Sequence, residues 1–171
     1  MISEAYRELN ARMHREKPQY GCVGRHFAEE VAKLCRLNCF SSVLDYGCGK
    51  GTLKSSLPSE VADMVREYDP AIPGKDHAPD PADMVVCTDV LEHVEPEYLD
   101  VTLDHLKRLA RRAIFINAAL GAAEKTLPDG RNAHLIVKPV EWWRERIRER
   151  FSIVRESTHP AFVTFLAVPH D

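Results

Sequence analysis

Two groups of residues in this chain have the types and spacing to do chemistry. The first is the run Asp45-Tyr46-Gly47-Cys48-Gly49-Lys50-Gly51-Thr52. Glycines on three alternate positions let backbone approach a bound molecule and take dihedrals barred to other residues. A dinucleotide fingerprint needs GxGxxG, but position 52 is Thr, and a Walker loop needs Lys after its last glycine, but Lys50 precedes Gly51. Both phosphate readings fail on spacing. Asp69, ending a later apolar run, can accept both hydroxyls of a ribose, although Asp69-Pro70 taken alone reads as a turn former. The second group is Asp89-Val90-Leu91-Glu92-His93 with the later His134. If the DVLEH step is helical, Asp89, Glu92 and His93 fall at i, i+3 and i+4, on adjoining parts of one face. Two carboxylates and two imidazoles suit a divalent ion with mixed ligands, Mn²⁺ or Mg²⁺. Without a metal, His93 or His134 can act as a general base. The plainer alternative is that both only shape a helix start and a pocket wall.

Elements with a regular pattern must position these groups. Apolar spacing predicts helices over about Ser3–His14 and His26–Leu37, separated by the breakers Pro18, Gly21 and Gly24. SSVLDYG reads as a buried strand, followed by a short helix over Thr52–Leu57. Ala62–Tyr68 and Asp83–Thr88 read as further strands, and the stretch PAIPGKDHAPDPA between them is too rich in proline for helix or central strand. A helix is predicted over Pro96–Arg111, a strand over Arg112–Ala118 and, after a long loop, a helix over Pro139–Arg150. Ser152–Glu156 and Ala161–Val168 close the chain as strands. Strands alternating with helices imply an α/β fold with a doubly wound, mostly parallel sheet, and the last two strands an antiparallel C-terminal hairpin. Ligands of such sheets sit beyond the carboxyl ends of the strands, where both groups fall.

Taken together, VLDYGCGKGTL, EYDP and DMVVCTDVLEHVEP resemble the class I S-adenosylmethionine-dependent methyltransferases, in order and spacing, over about Ser42–Pro96. The resemblance implies a Rossmann-like core over residues 41–171, with helices and a lid in residues 1–40, all in a single domain. It implies S-adenosyl-L-methionine as cofactor, with Asp45, Gly47, Gly49 and Gly51 at its methionine end, Asp69 at its ribose, and Thr88 and Asp89 at the pocket edge. The family usually has a helix, a strand and an adenine-contacting acidic residue between the segments matching Asp69 and Asp83. Here residues 70–82 leave the sheet shortened after the second strand, with Asp76, His77 and Asp80 as replacements for that contact. The DVLEH step and His134 are similar to the ubiquinone-pathway O-methyltransferases and to the small-RNA 3′-end 2′-O-methyltransferases. Carried over by position, Asp89, Glu92, His93 and His134 are the metal ligands. Asp89 stands where those branches usually carry Glu, which shortens its reach.

Composition narrows the function classes. The chain has 171 residues, 44% hydrophobic and 29% charged, with a formal charge of −3. These values exclude disorder, and the mild negative charge argues against a dedicated nucleic-acid binder. The basic run Arg144–Arg150 interleaves with Glu145 and Glu149 and reads first as a solvated helix face. Five cysteines at irregular spacing, Cys35 and Cys39 included, read as reduced thiols. With no apolar run of membrane length and no leader-like start, the expected location is cytoplasmic. The expected activity is O-methylation of a small molecule. RNA ribose methylation and a non-catalytic binding module are the alternatives. Tyr20, Ala119–His134 and Trp142 are the candidate acceptor contacts, and Arg131 and Asn132 candidate anion contacts; His14 and His26 have no constellation in the sequence.

Overall fold

The computed structural model describes residues 2–171. Six strands form one sheet: β1 (Val43–Tyr46), β2 (Val65–Tyr68), β3 (Ala82–Thr88), β4 (Ala110–Ala119), β5 (Phe151–His159) and β6 (Phe162–Pro169). Their order is β2-β1-β3-β4-β6-β5. The first four run parallel, and the β5–β6 hairpin joins antiparallel through β6 against β4. The doubly wound α/β sheet with a C-terminal antiparallel hairpin is therefore present, and β2 is its edge, with residues 70–80 adding no strand.

The sheet is buried on both faces because its central strands carry near-continuous apolar runs, Met84–Cys87 and Ala113–Ile116 among them, as parallel strands require. On β3, Met84 and Val86 point to one face and Val85 and Cys87 to the other. The first face is covered by α2 (Ala28–Asn38), α3 (Thr52–Ser56) and α4 (Ser59–Ala62), through Val31, Leu34, Leu53 and Val61. The second is covered by α5 (Leu99–Leu109) and α6 (Val140–Arg148), through Leu103, Leu106, Trp143 and Ile147. A third, smaller cluster joins Tyr6 and Met13 of α1 (Glu4–Glu16) to Tyr20, Leu127 and Ala133. So α1 packs on the long loop after β4 rather than on the sheet. Ser3 caps it by accepting the Tyr6 N–H.

Several boundaries differ from the sequence pattern, for local reasons. Ala62 belongs to α4, because its N–H bonds back to Pro58, and β2 starts only at Val65. A 3₁₀ turn over Val23–Phe27 precedes α2, and another over Pro96–Tyr98 precedes α5. Helix α5 stops at Leu109 because Ala110 already pairs with Ala82 in the sheet. Among the described residues no helix is long and apolar enough to cross a membrane.

Candidate functional site

Strands β1, β2 and β3 end side by side, and the chain turns sharply at each end. Gly47, Gly49 and Gly51 all have positive φ. A Cβ on Gly47 would run into the Val90 side chain, and one on Gly49 would stand 2.5 Å from the Gly21 carbonyl oxygen. Asp69 closes the turn after β2: its Oδ2 accepts from Gly49 N at 3.0 Å and its Oδ1 from Ala71 N at 2.9 Å. Each carboxylate oxygen keeps a further lone pair. Asp89 is left-handed, with φ of 60°, a conformation that Asp tolerates better than most residues. The DVLEH step is therefore not a helical face. It is a strained turn followed by a 3₁₀ turn over Leu91–His93.

That turn separates the carboxylates which an α-helix would have brought together. Asp89, His93 and His134 each place a ligand atom within 4.8 Å of the others. The His93 and His134 rings meet edge to face with centroids 4.8 Å apart. His93 Nδ1 donates to the Ala133 carbonyl at 2.7 Å, and His134 Nδ1 to that of Gly121 at 2.6 Å. A carbonyl only accepts, so both protons sit on Nδ1, and a neutral ring then presents an Nε2 lone pair. His93 Nε2 is 3.9 Å from Asp89 Oδ1. Metal-binding histidines are commonly held by just such a bond from the second ring nitrogen.

Glu92 is outside this cluster. It is fully buried, its Oε1 accepts from Ala119 N at 2.5 Å, and its Oε2 has no partner. Burial pushes its pKa up to about 7. The carboxyl instead ties the turn to the end of β4, while its backbone carbonyl accepts from Ile136 N. Burial works against ionising Asp89 and His93 alike, yet their mutual contact outweighs it: Asp89 falls below its ordinary range and His93 rises. Burial lowers His134.

Two clefts flank these residues. The first runs past Gly47, Gly49, Asp69, Asp89 and His93. The second opens beside Asp89 and His134 and is walled by Phe27, Leu120 and Phe162. Asp45, Gly51 and Thr88 line neither. Asp45 is buried behind the glycine loop, with Oδ2 unpartnered, and Gly51 backs onto Glu67 and Lys75.

The sequence model of the methyltransferase domain family matches residues 13–160. The chain belongs to that family. It is a methyltransferase domain of the class I, S-adenosylmethionine-dependent type, as its motifs suggest. No curated protein sequence matches it. Among solved structures it is similar to the 1,6-didemethyltoxoflavin-N1-methyltransferase of Burkholderia thailandensis, with a TM-score of 0.69 at 16% identity over 98% of this chain and 88% of that one. It is also similar to the magnesium protoporphyrin IX methyltransferase of Synechocystis PCC 6803 (TM-score 0.58, 21% identity, 86% and 84% covered). The N-methyltransferase NodS of Bradyrhizobium japonicum WM9 gives a TM-score of 0.59 at 12% identity, over 99% and 100%. All three were solved with S-adenosylhomocysteine bound.

Several residues of the methyltransferase stand elsewhere than its sequence suggests. Asp76 accepts from Gly74 N, Asp80 pairs with Arg66 and His77 is exposed, so none of the three faces the first cleft. Trp142 packs edge to face on Trp143 and lies under Lys138 and Arg146, away from both clefts. Arg131 pairs with Asp129, and Asn132 brackets Ala123 and His134 N to shape the loop. Conversely, His14 lines the first cleft, 3.8 Å from Asp69, and His26 lines the second. Nothing adjacent in sequence marks either one.

Proposed function

We propose that this methyltransferase moves a methyl group from S-adenosylmethionine to a hydroxyl of an uncharged small molecule, assisted by a divalent ion on Asp89, His93 and His134. The observation that carries the reading is the meeting of two clefts at Asp89, with His93 on one side and His134 on the other. The first cleft is assigned to the cofactor, with Asp69 at its ribose and Gly47, Gly49 and Asp89 along its methionine end. Asp45, Gly51 and Thr88 support that end from behind. The second cleft is assigned to the acceptor.

When bound, the cofactor supplies a methyl already carried by a good leaving group, and the ion lowers the pKa of an acceptor hydroxyl. The chain then has to align acceptor and methyl and keep water out, which proximity makes productive. Phe27, Leu120 and Phe162 exclude water and bind an apolar body, and His134 reaches the hydroxyl end. One carboxylate and two imidazoles leave positions open for an acceptor oxygen. They suit Mn²⁺ better than Mg²⁺, which prefers oxygen ligands. Glu92 is left out of the ligand set.

No Lys or Arg lines either cleft among the described residues. That favours a small acceptor over RNA, whose phosphates need cationic partners. Most of the basic run is engaged within the chain: Arg144 pairs with Glu156, Arg146 with Asp100 and Arg150 with Asp104, and Arg148 is exposed. The structural neighbours named for toxoflavin-precursor and magnesium-porphyrin methylation act on small molecules, which is consistent. One observation favours a metal-free variant: burial lowers His134, leaving a neutral base at the acceptor cleft. Calorimetry with S-adenosylhomocysteine and Mn²⁺, on wild type and His134→Ala, separates these. Micromolar cofactor binding in both proteins and a Mn²⁺ heat lost in the variant support the proposal. A Mn²⁺ heat that is absent, or unchanged in the variant, leaves His134 as the base, and no cofactor binding sinks the assignment altogether.

A further inference from the structure

The sheet ends at β2 on the cofactor side, so no further strand or helix of the core walls the first cleft there. Another element fills the gap. Tyr6, Asn10 and His14 line this cleft at i, i+4 and i+8, a single ridge of α1, with Ile2 just ahead of the helix beside them. Pro70 and Ala71 after β2, and Val90 and Val94 after β3, line the same cleft. Opposite the C-terminal end of α1 is Asp69, with His14 Nε2 3.8 Å from Oδ2.

The ridge is tethered at both ends. Ser3 donates N–H and Oγ–H to the two Glu95 carboxylate oxygens, at 2.8 and 2.7 Å. At the other end Lys50, inside the glycine loop, donates Nζ–H to the His14 carbonyl at 3.1 Å and its backbone N–H to Gly21 O at 2.9 Å. Within the ridge the Asn10 amide is oriented by donating to Tyr6 O at 3.0 Å and accepting from Tyr20 OH at 2.6 Å. The Asn10 amide also faces the Tyr6 hydroxyl, so what it keeps for a ligand is the second lone pair of Oδ1.

We infer that α1, with Ile2 just ahead of it, forms the adenine-binding wall of the cofactor site, through Tyr6 and Asn10, in the place that the shortened sheet leaves open. The inference rests on the cofactor assignment proposed above. A purine is a flat apolar body with a hydrogen-bonding edge. Ile2, Tyr6, Pro70, Val90 and Val94, all lining the cleft, give it apolar walls. Asn10 gives it a polar contact, and the acidic residues of the 70–82 loop are not required.

The test is hydrogen–deuterium exchange on the full chain with and without S-adenosylhomocysteine, together with calorimetric affinities of wild type, Tyr6→Ala and Asn10→Ala. The ligands are S-adenosylhomocysteine and 5′-methylthioadenosine, which keeps the adenosine end and lacks the amino-acid end. The expected result is slower exchange across residues 4–16 as well as 47–52. Each variant should raise the dissociation constants of both ligands by the same factor, about tenfold, the size of one lost buried contact. Tyr6 also packs in the third core cluster; should Tyr6→Ala melt, wild-type exchange and Asn10→Ala still decide. Protection confined to 47–52 and 69–71, unchanged affinities, or weakening of S-adenosylhomocysteine alone would overturn the adenine wall and leave the cofactor reading intact. No binding by wild type would overturn both.

Discussion

Asp45 shows how a single buried group couples the site to stability. It is almost wholly inside, and burial together with Glu67 pushes its pKa up to about 7, against the opposing charge of Lys75. The folded pKa lies above the ordinary 3.8, so folding takes up a proton between those values. The stability this contributes is complete below about pH 4 and is lost as pH rises through 7. Asp45→Asn should therefore gain stability over wild type as pH rises from 5 to 8, by on the order of 1 kcal/mol or more. Urea denaturation of the ligand-free proteins at the two pH values reads this, and a difference that does not change with pH would refute it. Glycines offer a second residue-scale test. Gly47 (φ 74°) and Gly130 (φ 90°) both strain an alanine, but only Gly47 would also drive a Cβ into Val90. Gly47→Ala should cost more than Gly130→Ala, which pays only the backbone term of about 1 kcal/mol. Equal melting temperatures for the two variants would contradict the close approach.

The helical elements divide by what holds them. The sheet-covering helices α2, α5 and α6 are held by apolar side chains that touch both the helix and a strand, so their positions follow from their patterns. Helix α1 is held differently, by the Ser3–Glu95 and Lys50–His14 hydrogen bonds and the small cluster around Tyr6 and Tyr20. Ser3→Ala removes both the cap and half of the Glu95 pairing, a loss of about 1 kcal/mol. Amide exchange over residues 4–10 should accelerate while that of β3 and β4 stays unchanged. Acceleration spread over the sheet would show that α1 is part of the cooperative core instead. The third element that matters is the Asp89–His93 turn. Its residues are plain in the sequence, and its conformation is not: i, i+3, i+4 spacing suggests a helix face, but a left-handed Asp89 and a 3₁₀ turn aim Glu92 at Ala119 and His93 at Ala133.

At the scale of the whole molecule, charge and cleft lining bear on the partner. A formal charge of −3 and clefts without Lys or Arg leave the site itself little to hold a phosphate backbone. A protein that neutralises phosphates shows a slope of about −0.7 per contact for a single strand in log affinity against log salt. The expected outcome here is a slope near zero for any RNA affinity, measured between low and physiological salt. A slope of several units would bring RNA methylation back.

The sequence carries the sheet class, the glycine loop, Asp69 at its strand end and the loss of an edge strand, because these are local: they follow from apolar runs, glycine dihedrals and proline. It also marks Asp89, His93 and His134 by residue type. The folded chain sets the convergence of these three and the inward turn of Glu92, because loop closure places His134 and backbone strain aims Asp89. It likewise sets α1 along the first cleft. The i, i+4, i+8 ridge of Tyr6, Asn10 and His14 is visible in the sequence, but mixed polarity hides it from an apolar pattern. What gives the ridge a partner is the distant contact of Ser3 with Glu95 and of Lys50 with His14.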